Sequence, residues 1–477
     1  MDLRDYQAKG IVDIRNAFGR KRRVCYQLPT GGGKTAVAGE IIKRMHDQGN
    51  LKGGGALFLV HRKELLHQTL STLRDLGFAG MAGVVAAGHA ASPWQPLQVA
   101  SIQTMARRLD KLSWLRPKLI IVDEAHHIRA ASWEKVLAAF GGAFVLGLTA
   151  TPARLDGKGL GTFFGELVPG PTTRELMDAK WLAEAECYSI KTGVDLKNVK
   201  RRGGDYAAEE QAKRMGSAVV AKTLDAWERI AGGERTIVYS PTVQSSIEFC
   251  EQMRARGHAA EHIDGTTEAV ARQAAVSRYR NGRTKVLCNV EIVTEGFDVP
   301  ETACVLVRRK TLSQTLWLQM VGRALRPKEG GKPGIVIDGV GNYYELGAPD
   351  DHIEWTLTDG VGGDGKKKKP TPPKCPECER VYRIGTRVCP HCGHEKPVRL
   401  VQEVDVDIVN VQKVKPKGKP KKKPKLSRRE LNGRVFRTMG DDVKLAELAS
   451  ELGYNPYVVR RWHRMFDATW AQKGLLR

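Results

Sequence analysis

The sequence predicts an α/β protein with two tandem parallel-sheet domains, followed by a metal-binding ribbon and a small helical unit. Three observations carry that prediction. Short runs that are apolar throughout alternate with longer helical patterns over the first 345 residues. The runs fall into two series separated by a Pro/Gly punctuation at VPGPTT (168–173). After Gly347 the composition shifts to Gly, Lys and Pro, and four cysteines then cluster. Runs of this kind read as strands buried on both faces, the pattern of parallel sheets covered by helices.

The first series is VCYQL (24–28), ALFLV (56–60), LQVASI (97–102), KLIIVD (118–123) and AFVLGLT (143–149). The second is TIVYS (236–240), AEHIDG (260–265), KVLCNV (285–290), ACVLV (303–307) and GIVID (334–338). The predicted domains are therefore 1–169 and 170–348. A linker at 349–373, a four-cysteine ribbon at 374–397, a Lys/Pro-rich linker at 398–426 and a helical unit at 427–477 follow. Within the second linker, 413–425 holds eight lysines in thirteen residues, and like-charge repulsion with proline keeps such a stretch extended.

The chain has 477 residues, enough for several domains and a sizeable core. Apolar residues are 41% and charged residues 27%, which excludes a chain disordered or fibrous throughout. The net charge is +24. From residue 366 to the end there are 28 basic and 12 acidic residues, so +16 of the excess lies in that last quarter. A basic tail on a balanced body points to a polyanion, usually nucleic acid, with a solubilising tail as the alternative. MDLRDYQAKG has no apolar core of the signal-peptide kind, and no apolar run approaches a membrane span. Nine cysteines in so long a chain, five scattered and four clustered, fit a reducing cytoplasm and not a disulfide framework.

Chemistry concentrates at strand ends. VCYQL runs into Pro29-Thr30-Gly31-Gly32-Gly33-Lys34-Thr35 and then AVAGEIIKRM, a strand, a glycine loop and a helix. Such a loop lets backbone amides approach phosphates, with Lys34 reaching the β- and γ-phosphates of ATP and Thr35 a ligand for Mg²⁺. The strict pattern wants glycine where Leu28 stands, so the match is to a looser form. Asp123-Glu124-Ala125-His126 ends the strand KLIIV. Its carboxylates emerge at the C-terminal edge of a parallel sheet, with Asp123 placed to hold Mg²⁺ and Glu124 to polarise the attacking water. His126 is a candidate for coupling to the next domain, or a simple helix start; His127 has no assigned role. Gln319, Arg323 and Arg326 fall at i, i+4 and i+7 of a predicted helix, so that both arginines reach a γ-phosphate across a cleft, or else form a solvated basic face.

Together these motifs resemble the superfamily 2 helicases, whose motor is a pair of RecA-like domains. Leu3-Arg4-Asp5-Tyr6-Gln7 is similar to the adenine-reading segment of that family, LVHRKELLHQ (59–68) to a DNA-contacting motif, and Thr149-Ala150-Thr151 to the coupling motif. TEGFDVP (294–300) and QMVGRALRP (319–327) complete the order. The resemblance implies that Arg4, Gln7, Thr30, Gly296 and Asp298 join Gly31, Gly32, Gly33, Lys34 and Thr35 around the nucleotide. TPARLDGKGLGTFFGELVPGP (151–171), GDY (204–206), the cysteine cluster and GYNPYVVRRWHRMF are similar to RadD-type DNA-repair helicases, in a phage-encoded or shortened bacterial form. That implies DNA-stimulated ATP hydrolysis in recombination or repair, and contact with single-strand-binding protein. The lysine run has no counterpart in that pattern.

Cys375-x2-Cys378 and Cys389-x2-Cys392 have the spacing of a zinc ribbon, a closed structural site of four thiolates. A redox C-x2-C is the alternative. Arg380, Arg383 and Arg387 between the pairs are candidate DNA contacts. In the last segment Ala449, Gly453 and Val459 have helix-turn-helix spacing, with Arg460, Arg461 and Arg464 on the second helix; a helical cap or protein-docking unit is the alternative. The functional expectation is an ATP-dependent DNA helicase or translocase using ATP, Mg²⁺ and Zn²⁺, cytoplasmic, with DNA as partner and no membrane. An RNA helicase, a restriction-complex motor subunit and a non-enzymatic DNA-binding regulator are the competing classes, the last disfavoured by intact Lys34, Asp123, Glu124 and Arg323.

Overall fold

A computed structural model describes residues 3–395, apart from 52–54, 62, 90–91, 129, 155–157, 191–198, 203, 294–298, 359–374, 376 and 382–387. Several expectations therefore lie outside the described residues: Gly296, Asp298, Arg383, Arg387, the lysine run and the 427–477 unit with its arginines.

The first sheet is built from β1 (Arg23–Gln27), β2 (Ala56–Val60), β3 (Ala82–Val85), β4 (Leu97–Ser101), β5 (Leu119–Val122), β6 (Phe144–Thr149) and β7 (Glu166–Pro169), in spatial order β3-β4-β2-β5-β6-β1-β7. Every pairing in it is parallel. Helices α1 (Asp5–Phe18), α2 (Lys34–Asp47), α3 (Lys63–Leu73), α4 (Ile102–Arg108) and α5 (Ala130–Ala139) cover it. β2, β4 and β5 are buried at every position, so both faces are packed and the strands carry no polar alternation.

A short helix, α6 (Thr173–Asp178), leads to the second sheet. Thr172 caps it by accepting from the Glu175 amide, and Glu175 reaches back to the Thr172 amide. The second sheet holds β8 (Ala185–Ser189), β11 (Thr236–Tyr239), β12 (Ala260–Ile263), β13 (Val286–Asn289), β14 (Cys304–Val307) and β15 (Gly334–Asp338), in order β12-β13-β11-β14-β15-β8, again all parallel. A small antiparallel pair, β9 (Arg201–Arg202) and β10 (Asp205–Tyr206), stands apart. The helices of this half are α7 (Ala208–Arg214), α8 (Ser217–Ala231), α9 (Val243–Ala255), α10 (Ala269–Arg280), α11 (Gln314–Val321) and α12 (Asn342–Leu346). Trp227 and Trp317 are fully buried against this sheet.

The ten predicted strands are present within a residue or two of their limits. β3, β7 and β8, three of the four edge strands of the two parallel sheets, are not predicted from the sequence, nor is the short pair β9 and β10; β12 is the edge strand that is. An edge lacks the continuous apolar run of a central strand: β3 is AGVV, half-buried at alternate positions, and β7 ends in Pro169. After α12 the chain turns back to the first sheet. The Leu357 carbonyl accepts from the Gly161 amide at 2.8 Å, and Leu357 packs among Leu160, Phe163 and Phe164. A Cβ on Gly159 would lie 2.1 Å from the Leu357 oxygen, so only glycine admits this return segment.

Candidate nucleotide site between the two sheets

β1 stands beside β6, and β6 beside β5, although β1 lies far from both in sequence, so loops far apart in the chain leave the sheet side by side. From β1 comes the glycine loop. Gly31 and Gly33 have φ of 84° and 86°, a left-handed conformation that favours glycine. At Gly32 the reason is space, since a Cβ would meet Leu28 Cγ at 2.7 Å. Gly33 caps α2 without a side-chain hydrogen bond, leaving the first amides of a 14-residue helix available to an anion.

From β5 come Asp123 and Glu124. The Glu124 amide donates to Asp123 Oδ1 at 3.0 Å, and Glu124 itself sits at φ 47°. A glutamate held there is strained by about 1–3 kcal/mol, and such strain clusters at functional sites. Lys34 Nζ lies 3.9 Å from Glu124 Oε1. Burial, then the Glu124 charge, push the Asp123 carboxyl up to about 6, against the pull of Lys34. Glu124 Oε2 is buried without a hydrogen bond among the described residues.

From β6 comes Thr149-Ala150-Thr151. Thr149 Oγ1 donates to the Thr151 carbonyl at 2.9 Å, so it accepts from His126 Nδ1 at 3.0 Å. That leaves His126 Nε2 to accept from Gln319 Nε2 at 3.1 Å. His126 and Gln319 are both buried, and the bond joins the first half to α11 of the second. The coupling candidate His126 is thus seated between the two sheets.

A cavity of about 420 Å³ is lined by Thr30, Gly31, Gly33, Lys34, Thr35, Asp123 and Glu124 from one half and by Arg323 and Arg326 from the other. The arginines do not stand on one regular helix face as predicted. α11 ends at Val321, and the amides of Arg323, Ala324 and Leu325 bond three residues back instead of four. Pro327 disfavours α-helix at Arg326, so the helix does not resume after this turn. Burial lowers the Arg326 guanidinium to about 10. Gln7 is buried, with both ends of its amide on backbone: Oε1 accepts from the Arg4 amide at 3.0 Å and Nε2 donates to the Gly32 carbonyl at 3.2 Å. It braces the glycine loop. Arg4 lines the cavity.

Cys375, Cys378, Cys389 and Cys392 bring four Sγ atoms within 4.8 Å of one another. The Cys375–Cys392 and Cys378–Cys389 separations are both 3.6 Å. Four thiols converging at this spacing fit the donor set of a tetrahedral metal site such as that of Zn²⁺.

Residues 1–154 match the family described as "Type III restriction enzyme, res subunit", and residues 218–328 match "Helicase conserved C-terminal domain". A "51.5 kDa protein" of Lactococcus phage (isolate 7-9) is 32% identical over 82% of this chain and 83% of its own length. The chain belongs to the superfamily 2 helicases. As a member of that superfamily it is an ATP-hydrolysing enzyme. The "DNA 3'-5' translocase XPB2" of Sulfurisphaera tokodaii is 24% identical over 71% of this chain and 81% of its own. The fold is that of a solved HsdR fragment of a type I restriction enzyme from Vibrio vulnificus: TM-score 0.56, 21% identity, 72% of this chain and 65% of that one. The chain spans about half the length of two yeast relatives, 51% and 57%, at 31% and 32% identity.

Two features of this helicase were missed in its sequence. Gly322 packs on the glycine loop so closely that a Cβ would lie 2.9 Å from Thr30 Cβ. The cysteine cluster extends the second sheet: the Val381 amide donates to the Cys187 carbonyl at 2.9 Å, and Arg380 bridges antiparallel to Tyr188 of β8. Arg380 Nη1 then pairs with Glu186 at 3.2 Å, which corrects its expected role as an outward DNA contact. A single residue pair on an edge leaves no periodicity to read. Among the described residues no helix is long and apolar enough to cross a membrane.

Proposed function

We propose that this helicase is a DNA-dependent ATPase that turns closure of the cleft between its sheets into movement along DNA. One observation carries the reading: Lys34, Asp123 and Glu124 of one half share a cavity with Arg323 and Arg326 of the other. Lys34 and the amides of Gly31 and Gly33 bind the phosphates, while the Gly32 amide donates to the Pro29 carbonyl at 3.0 Å and shapes the loop; Thr35 and Asp123 are the residues that would hold Mg²⁺, which when bound neutralises phosphate charge. Glu124, whose Oε2 lies 3.4 Å from His126 Nδ1, orients the attacking water. Arg323 and Arg326 stabilise the charge that develops on the transferred phosphoryl group. Gln319 and His126 report that state across the cleft. Arg4 and Thr30 line the cavity on the nucleoside side, Gln7 supports them by bracing the glycine loop, and Gly296 and Asp298 belong to the same proposal although they lie outside the described residues.

DNA is favoured over RNA by the similarity to the Sulfurisphaera DNA translocase and by the RadD-type resemblance. The domain limits of the sequence reading, a Zn²⁺ held by the four cysteines, contact with single-strand-binding protein and a cytoplasmic site in a bacterial or phage-infected cell complete the proposal. The match to a restriction-enzyme family supports a second reading, a motor subunit within a restriction complex. The deciding experiment is the ATPase rate with single-stranded, duplex and forked DNA and with RNA, side by side. Stimulation by RNA alone would overturn the DNA assignment.

A further inference from the structure

We propose that Trp181 positions the nucleotide base: its indole holds the Arg4 guanidinium in a fixed plane at the cavity, and adenine stacks on that guanidinium. The proposal rests on reading the cavity as the ATP site. Arg4 lines the cavity, and its guanidinium carbon lies 4.3 Å from the Trp181 ring centroid. Among the described residues no carboxylate pairs with Arg4; its Nη1 donates to Tyr6 Oη at 3.0 Å, and Tyr6 Oη donates to the Gly32 carbonyl at 2.8 Å. The guanidinium is thus tied to the glycine loop on one side and laid against an indole on another. A planar, weakly hydrated cation in that setting offers a stacking surface to a base.

Trp181 is held firmly. Its amide donates to the Leu176 carbonyl at 2.8 Å and the Lys180 amide to the Met177 carbonyl at 3.0 Å, the double closure that ends α6. Lys180 takes φ 62° in that turn, where glycine is the usual residue. The next residue, Leu182, packs with Tyr6 and Leu325, and its Cδ2 would be 3.0 Å from a Cβ on Gly31. Trp181 nevertheless stays 39% exposed, unusual for so large a ring so well anchored. It lies on the segment joining the sheets, so a base stacked on Arg4 draws that segment toward the glycine loop.

The test is steady-state ATP hydrolysis by the full chain with Trp181→Ala and Trp181→Phe, with tripolyphosphate as a competitor that has no base. Trp181→Ala should raise KM for ATP roughly three- to tenfold, with kcat changed far less. Trp181→Phe should restore most of the KM, and inhibition by tripolyphosphate should be the same in all three proteins. An unchanged KM in Trp181→Ala overturns the proposal. So does an equal weakening of tripolyphosphate, which would mean damage to the phosphate loop. Lys34→Ala, assayed in parallel, separates the two readings: if it still hydrolyses ATP, the cavity is not the ATP site.

Discussion

At Asp123 one carboxyl serves two opposed demands. The fold buries it beside Glu124, and its pKa rises to about 6. A carboxyl whose folded pKa lies above its unfolded value binds more protons folded than unfolded between those values, so stability falls as pH rises through that window. Ionised Asp123 therefore destabilises the protein near neutrality. Asp123→Asn should raise the melting temperature at pH 7.5 in metal-free protein while abolishing hydrolysis. A lowered melting temperature would show the carboxylate to be stabilising. For the same reason the ATPase rate should fall as pH drops through about 6, and added Mg²⁺ should move that fall to lower pH, because metal competes with the proton. Glu124→Gln keeps the size of the side chain and removes the base. ATP should stay bound and hydrolysis should stop, read by nucleotide retention on a filter together with phosphate release. Parental turnover in that variant would give the water to another residue.

Elements matter through how closely they approach. α11 meets the glycine loop at Gly322 and Thr30, where a Cβ would stand 2.9 Å from Thr30 Cβ and 2.8 Å from the Leu318 carbonyl. Gly322→Val should hold the halves apart and cut ATP turnover by at least an order of magnitude, with an unchanged circular dichroism spectrum because both sheets keep their cores. Normal turnover would mean that this contact is not needed for closure. Arg323→Ala tests the same junction chemically: ATP affinity should barely change while hydrolysis falls by roughly 10³-fold, the scale of losing an arginine finger. Arg323 and Arg326 were legible as a pair in the sequence, but their geometry was not. α11 ends in a tight turn before Pro327, and what brings the arginines to the cavity is that turn and not a helical face.

Across the whole molecule, the cysteine cluster and the basic tail divide into a structural and an electrostatic part. Residues 380–381 add to the edge at β8, and Val381 enters the core of the second sheet. Metal analysis should find one Zn²⁺ per chain. Cys375→Ser should release it and lower the melting temperature, since binding energy is folding energy in so small a unit, while basal ATPase persists. Carefully prepared protein without zinc would end that claim. Ending the chain before Lys366 removes a net charge of +16. Each phosphate contact on a single strand contributes about 0.7 to the slope of log affinity against log salt. The shortened chain should therefore bind DNA more weakly, with a flatter slope, and keep its maximal rate at saturating DNA better than its affinity. Equal isotherms at several salt concentrations would make the tail a solubilising spacer.

Local pattern carried most of what could be read from the residues alone. Central strands are mostly apolar because both their faces are packed, so all nine of them were legible, together with the edge strand β12. The glycine loop and DEAH were legible because each is contiguous and sits at a strand end, and the cysteine pairs because their spacing is short and regular. The remaining features depend on residues distant in sequence and emerge only on folding. The edge strands β3, β7 and β8 carry no continuous run, since one side of each lacks a partner strand. The bond from His126 to Gln319 spans 193 residues, Gly322 against Thr30 nearly three hundred, and Arg4 against Trp181 nearly as many as the first. None of these contacts repeats with a period. Each exists because parallel sheets place successive strand ends at one edge, and because a second sheet then closes on that edge.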